Sequence, residues 1–177
     1  VLYRPFDLKI TYYTDKVRGF LAYPVYRVMR HFTKGENVGL VLGRQGQVVG
    51  TMPWNLVFIS QYVTDLNLYY RGGGVTFPLY LYPDQSDLLN TTRTPNLDPN
   101  IVEKFARSIG LEFEVEKSGD GDKFAPIDLL DYIYAVLHSP AYREKYKEFL
   151  KTDFPRVPYP ISADEFRHLA ALGGELR

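Results

Sequence analysis

Apolar residues recur at helical spacing most clearly between residues 126 and 160. Leu129, Leu130, Ile133, Val136 and Leu137 fall at i, i+3, i+4 and i+7, which lays one apolar stripe along a helix. Asp128 in its first turn and His138 in its last suit the helix dipole if His138 is charged. Ser139 is a preferred N-cap and Pro140 is tolerated at N1, so the helix stops there and restarts. The second helix, residues 141–151, puts Tyr142, Tyr146, Phe149 and Leu150 on one face and Glu144, Lys147 and Glu148 on the solvated one. Prolines 155, 158 and 160 end it. This hairpin is read as a scaffold, with Tyr132, Ile133 and Leu137 expected to be buried against a sheet.

The sheet is expected from the first half. Leu8, Ile10 and Tyr12 alternate with Lys9, Thr11 and Tyr13, the pattern of a half-buried strand over 7–13. Residues 38–42 (VGLVL) and 56–60 (LVFIS) read as strands, and Val48 and Val49 as the start of a return strand. Residues 66–70 and 75–82 flank the glycines at 72–74 and are expected to form a hairpin, with Pro78 marking an edge or a bulge. Residues 24–34 read as a short helix with Val25, Val28, Met29 and Phe32 on one face and Arg27, Arg30, His31 and Lys34 on the other, ended by Gly35. Further on, Asp98 and Pro99 open a helix that Gly110 closes, and Leu111, Phe113 and Val115 alternate with three glutamates as a strand over 111–116. Residues 118–122 read as a turn. Ser162 and Glu165 form a capping box whose helix is expected to end at Gly173 and Gly174.

The fold class expected is therefore α+β: a β-rich N-terminal half with a short basic helix (1–95), packed against a mainly helical C-terminal part (96–177). At 177 residues this is one domain. No run of eighteen apolar residues suggests a membrane span, and no charged, apolar leader opens the chain. Cysteine is absent, which removes disulfides, thiolate metal sites and thiol catalysis and fits a cytoplasmic protein. The chain begins at Val1 in mid-pattern, so it is read as a piece of a longer protein. Its zero net charge hides an asymmetry: over residues 1–72 Lys and Arg outnumber Asp and Glu nine to four, and the remainder carries the opposite excess. A basic half suggests a polyanionic partner, against the plainer reading that charge fluctuates along a soluble chain.

Catalytic motifs do not emerge. The glycines at 39, 43, 46 and 50 do not fit a dinucleotide or P-loop spacing. Pro83-Asp84 opens a nuclease-like pattern, but the acid required two residues before Lys117 is Val115. Asp120-Gly121-Asp122 starts like a calcium loop, yet Ala125 stands where the loop needs glycine. His31, His138 and His168 have no ligand spacing, and no serine sits in a nucleophile elbow. No metal and no catalytic residue is assigned.

Several ordered blocks carry a resemblance. They are Tyr3-Arg-Pro-Phe-Asp7 followed by Tyr12-Tyr13, Val28-Met-Arg-His-Phe32, Gly35-Glu-Asn-Val-Gly-Leu40, Arg44-Gln45, Phe77-Pro-Leu-Tyr-Leu-Tyr-Pro83, and the run from Asp131 through Pro140 to Asp153-Phe-Pro-Arg-Val-Pro158. Together they resemble the C-terminal target-recognition domain of type ISP (single-polypeptide) restriction-modification enzymes, over nearly the whole chain. The resemblance implies sequence-specific recognition of double-stranded DNA. It also implies that a methyltransferase domain of the same chain is the neighbour. Adenine-N6 methylation with S-adenosylmethionine, and cleavage driven by ATP and Mg, would belong to that missing part; its Asn-Pro-Pro-Tyr motif is not among these residues.

Under that reading Arg27, Arg30, His31 and Lys34 are candidates to neutralise phosphates and set register. Arg44, Gln45, Gln47, Asn67 and Arg71 are candidates for base edges, since Arg pairs bidentately with guanine and Gln or Asn with adenine. Trp54, Tyr69 and Tyr70 are open to two readings, packing on sugars or an extruded strand, or simply core. Arg4 and Arg156 are open to a structural role. The competing hypotheses are a module that couples other domains without reading bases, and an independent small enzyme, for which no motif is found.

Overall fold

The computed structural model describes residues 1–16, 21, 23–44, 52–69, 73–84 and 92–177. Strand β1 (Leu2–Arg4) turns back into β2 (Asp7–Leu8). Helix α1 (Tyr26–Met29) continues as a 3-10 turn over Arg30–Phe32. Strands β3 (Gly39–Leu42), β4 (Val57–Ser60) and β5 (Val75–Pro78) form one antiparallel sheet in the order β4-β3-β5. Leu42 pairs with Val57 on one side and with Val75 on the other, and Gly39 with Ser60 and Pro78. Short strands β6 (Tyr80–Leu81) and β7 (Thr94–Pro95) pair antiparallel, and β8 (Glu112–Phe113) and β9 (Lys123–Phe124) pair parallel. The helices are α2 (Pro99–Ile109), α3 (Pro126–His138), α4 (Pro140–Lys145), α5 (Lys147–Leu150) and α6 (Ala163–Leu176). No helix among the described residues is long and apolar enough to cross a membrane.

Three helix starts and one helix end follow the expected signals. Asp98 accepts from the N–H groups of Asn100 and Ile101, with Pro99 at N1 and Gly110 closing α2 at φ 70°. Ser139 caps α4, with Pro140 at N1. Ser162 accepts from the N–H of Glu165, whose carboxylate reaches back to Ile161. Pro78 lies on the edge strand β5, where a missing donor costs no ladder bond.

Other expectations give way to tertiary context. Of the strand over 7–13, Asp7 and Leu8 pair as β2 and Lys9 exchanges backbone hydrogen bonds with Val1; among the described residues no strand lies beside the rest. The hairpin of 66–70 with 75–82 does not form. Residues 66–69 turn, Gly74 N–H closes onto Leu66 O at 3.2 Å, and β5 pairs with β3 instead. The strand over 111–116 shrinks to β8. The helix over 141–151 breaks at Tyr146 into α4 and α5. Val48, Val49 and Tyr70 lie outside the described residues.

Helix α6 runs straight through Gly173 and Gly174 rather than ending there. The glycines serve close packing on α3: a Cβ on Gly173 would sit 1.8 Å from the Asp131 carbonyl oxygen. Beside it the buried Asp131 carboxylate takes Arg177 in bidentate fashion, at 2.7 and 3.0 Å. The core between the helices is an aromatic hub. Phe105 of α2 meets Phe124, Tyr132, Tyr159 and Phe166 with ring centroids 5.3–5.9 Å apart. Tyr132 and Leu137 are buried as expected and Ile133 partly so, but Tyr132 faces this hub rather than the sheet. Burial lowers the pKa of His138, whose Nδ1 lies 2.9 Å from Tyr134 O, so it is a neutral packing group and not a charged dipole partner.

Candidate nucleic-acid interface

The antiparallel register gathers two connections at the Leu42 end of the sheet. β3 leaves there through Gly43 and Arg44, and the chain returns there through Trp54 and Leu56 into β4. The approach to β5 arrives at the same end through Leu68, Tyr69 and Gly74. Four hydrogen bonds fasten this rim. Gly43 N–H donates to Leu56 O at 3.1 Å and Gly74 N–H to Leu66 O. Trp54 Nε1 donates to Gly43 O at 2.9 Å, and the Tyr69 hydroxyl to Val41 O at 2.7 Å. Both aromatics are buried, and burial raises the Tyr69 hydroxyl pKa far above its ordinary value, so these two rings are core and not a stacking platform.

Arg44 follows β3 directly. Its guanidinium carbon lies 5.6 Å from the centre of the Phe154 ring, which in turn meets Phe77 edge-on at 6.2 Å. Its buried Nε has no hydrogen-bond partner among the described residues. Asn67 is exposed; its N–H donates to Asp65 and its carbonyl accepts from Arg4, while its carboxamide has no partner among the described residues. Gln45, Gln47 and Arg71 lie outside the described residues. Their described flanks, Arg44 and Met52 for the first two and Tyr69 and Gly73 for the third, frame the same rim.

The four candidate phosphate contacts belong to the other end, where α1 leads to Gly39. They do not share one solvated face, because the chain leaves α-helical spacing for a 3-10 turn at Arg30. Arg27 is exposed and without a partner among the described residues. Arg30 pairs with Asp84, and Lys34 donates to Pro83 O at 2.7 Å. His31 is 4% exposed, and its Nδ1 accepts the Tyr82 N–H at 2.9 Å. Burial, with Arg30 and Lys34 adding to it, lowers its pKa, so the ring is neutral and structural. The two candidate groups thus lie beyond opposite ends of a four-residue strand, itself about 10 Å long.

Two side chains at the rim escaped sequence reasoning. Phe154 lies in the proline-rich tail of the hairpin, far in sequence from Arg44. Arg143 opens a cleft of about 750 Å³ between Met52–Asn55 and α4–α5. It has no carboxylate partner among the described residues; it donates to Leu137 O at 2.6 Å and lies 5.6 Å over Trp54. Burial lowers its pKa. The one signal for Arg143 in the sequence is a cation next to the apolar face of α4, and helical spacing alone gives it no role. Arg4 is structural, donating to Asn67 O at 2.5 Å. Arg156 lies over Phe149 at 5.0 Å beside Asp153. No group of acids and histidines that could hold a metal occurs among the described residues.

The family model that matches is the Type ISP C-terminal specificity domain, over residues 1–177. No curated protein matches the sequence. Among solved structures, a cryoEM structure of a DrdV–DNA complex is similar at 28% identity and a TM-score of 0.71, over 99% of this chain and 15% of that one. A nuclease-deletion mutant of the Type ISP restriction-modification enzyme LlaGI, in complex with a DNA substrate mimic, shares 23% identity over 81% of this chain and 10% of that one. Its TM-score is 0.50, and at that identity the likeness concerns the fold alone. The chain therefore spans about 15% of the length of DrdV. With its whole length matched by one family model, this chain belongs to the Type ISP C-terminal specificity domain family.

Proposed function

We propose that the chain reads a target sequence in double-stranded DNA on behalf of a type ISP restriction-modification enzyme. The observation that carries this is the full-length match to the specificity-domain family; the likeness to DrdV bound to DNA supports it. Residues 1–95 carry the reading parts and residues 96–177 the scaffold. Arg44, Gln45, Gln47, Asn67 and Arg71 read base edges from the rim, and Arg27 sets register on a phosphate. Arg30 and Lys34 join it by exchanging their present partners. Asp84 is two-thirds exposed, so a phosphate can approach the pair and take its place. His31 acts indirectly, by fixing Tyr82 against the turn that carries Arg30. Adenine-N6 methylation with S-adenosylmethionine and cleavage powered by ATP with Mg fall to the rest of the polypeptide, in the cytoplasm of a bacterium. No step of that chemistry is assigned to these residues.

The test is DNA binding by the full-length polypeptide across a salt series and a panel of single-base variants of its site. Arg44→Ala removes one base preference, costing about 1–3 kcal/mol of discrimination. Arg27→Ala weakens all sequences alike and reduces the salt slope by about 1. Binding that ignores salt, or base contacts mapped wholly outside residues 1–177, refutes the reading in favour of a coupling module.

A further inference from the structure

The segment expected to form a half-buried strand is inside out. Its polar-side residues Thr11 and Tyr13 are half-buried and line a shallow cleft with Tyr23, Pro24 and the loop 63–67. Its apolar-side residues face water: Leu8 is 52% exposed, Tyr12 76% and Ile10 completely. The backbone N–H groups of residues 10–13 have no hydrogen-bond partner among the described residues. An apolar stripe beside an open strand edge is what an isolated soluble surface avoids.

The turn into this segment points the same way. Phe6 adopts φ 63°, a left-handed conformation that costs a bulky residue on the order of 1–3 kcal/mol, and its ring is 91% exposed apart from an edge contact with Phe58. Strain that turns an aromatic ring outward needs an offset from whatever the ring meets.

We propose that residues 6–13 are a docking edge for another domain of the same polypeptide, which covers Leu8, Ile10 and Tyr12 and pairs with the open backbone of residues 10–13. Three observations select this occupant. Asp7 and Lys9 pair at 3.1 Å, so the edge carries no net positive charge to attract a polyanion. The matched region is 15% of the DrdV chain, which leaves ample polypeptide to supply a cover in a relative of that size. Phe6, Leu8, Ile10 and Tyr12 are each more than half exposed, so the edge offers a run of apolar side chains of the kind that an interdomain contact covers.

Hydrogen exchange on the DNA-free full-length polypeptide tests it. The amides of residues 10–13 exchange at least ~10-fold more slowly than an unpaired segment, at every protein concentration. Ile10→Asp restores fast exchange there and leaves protection in α3 unchanged; because Ile10 is fully exposed here, the chain itself does not depend on it. Fast exchange in the wild-type polypeptide overturns the proposal. So does protection that appears only with DNA, which makes DNA the cover, or protection that grows with concentration, which makes the cover a second copy. The measurement needs no DNA, so it stands or falls separately from base reading.

Discussion

Replacing Gly173 by alanine sets two effects of known size against each other. Helix propensity alone favours the change, since glycine inside a helix costs about 1 kcal/mol relative to alanine. The structure opposes it. A Cβ at Gly173 falls 1.8 Å from the Asp131 carbonyl oxygen, where 3.0 Å is the closest that real Cβ atoms approach, and the obstacle is backbone, not a side chain that can rotate away. Helix α6 would have to retreat from α3 by at least about 1.2 Å, which also draws Arg177 off the buried Asp131 carboxylate. Overpacking of this kind costs up to about 3 kcal/mol, so the net loss is about 2 kcal/mol. Gly174 is the control. Its Cβ would meet only the Asp131 carboxylate, Oδ2 at 3.3 Å and Cγ at 3.8 Å, a shift of a few tenths of an ångström rather than a collision with backbone, so Gly174→Ala should cost far less than Gly173→Ala. Urea denaturation followed by circular dichroism reads both variants, with an unchanged slope confirming comparable states. Equal stability of the two, or a gain for Gly173→Ala, would show that the helices part without cost and would refute the close-packing account.

Acidification should destabilise the chain through His31. Its folded pKa lies below the ordinary 6.5, first because of burial and then because of Arg30 and Lys34, so its contribution is complete above about pH 6.5 and is lost as pH falls through the lower folded value. His138 is depressed in the same direction, so the comparison of wild type with His31→Asn, whose carboxamide cannot titrate, isolates the His31 part in urea midpoints between pH 7.5 and 5. Asp98→Ala should cost about 1 kcal/mol by leaving the Asn100 and Ile101 N–H groups uncapped, read as a lower urea midpoint; no change would mean water caps the helix as well. Phe166→Ala removes a ring from the aromatic hub and should cost about 3–5 kcal/mol, enough to unfold a marginal domain in a thermal melt.

Helix ends were legible because capping is local: Asp98, Ser139 and Ser162 each act within three residues of themselves. Strand partners were not, because pairing is settled by chain segments that sequence pattern does not rank. β5 paired with β3 rather than with the nearer candidate at 66–70, and the alternation at 8–13 announced a buried face that nothing covers among the described residues. The double glycine misled for a related reason. Locally it reads as a stop signal, and only the position of Asp131 on the facing helix shows it to be a contact surface. For the candidate interface, helical spacing put Arg27 on a solvated face and the turn after residues 38–42 put Arg44 on a loop; in the structure Arg27 is exposed and Arg44 half-buried at the rim. Neither signal could reveal that Arg30 and Lys34 already hold partners, that His31 is buried, or that Phe154 backs Arg44.

The aromatic hub has a consequence for synthesis of the chain. Phe105 and its partner Phe166 are 61 positions apart, and Tyr159 comes only shortly before. At ribosomal speeds of about 5–20 residues per second, Phe105 waits roughly 3–12 s for Phe166, although Phe124 and Tyr132 reach it sooner. During that interval the hub lacks two of the four rings around Phe105, so the apolar side of α2 is fully closed only when α6 arrives.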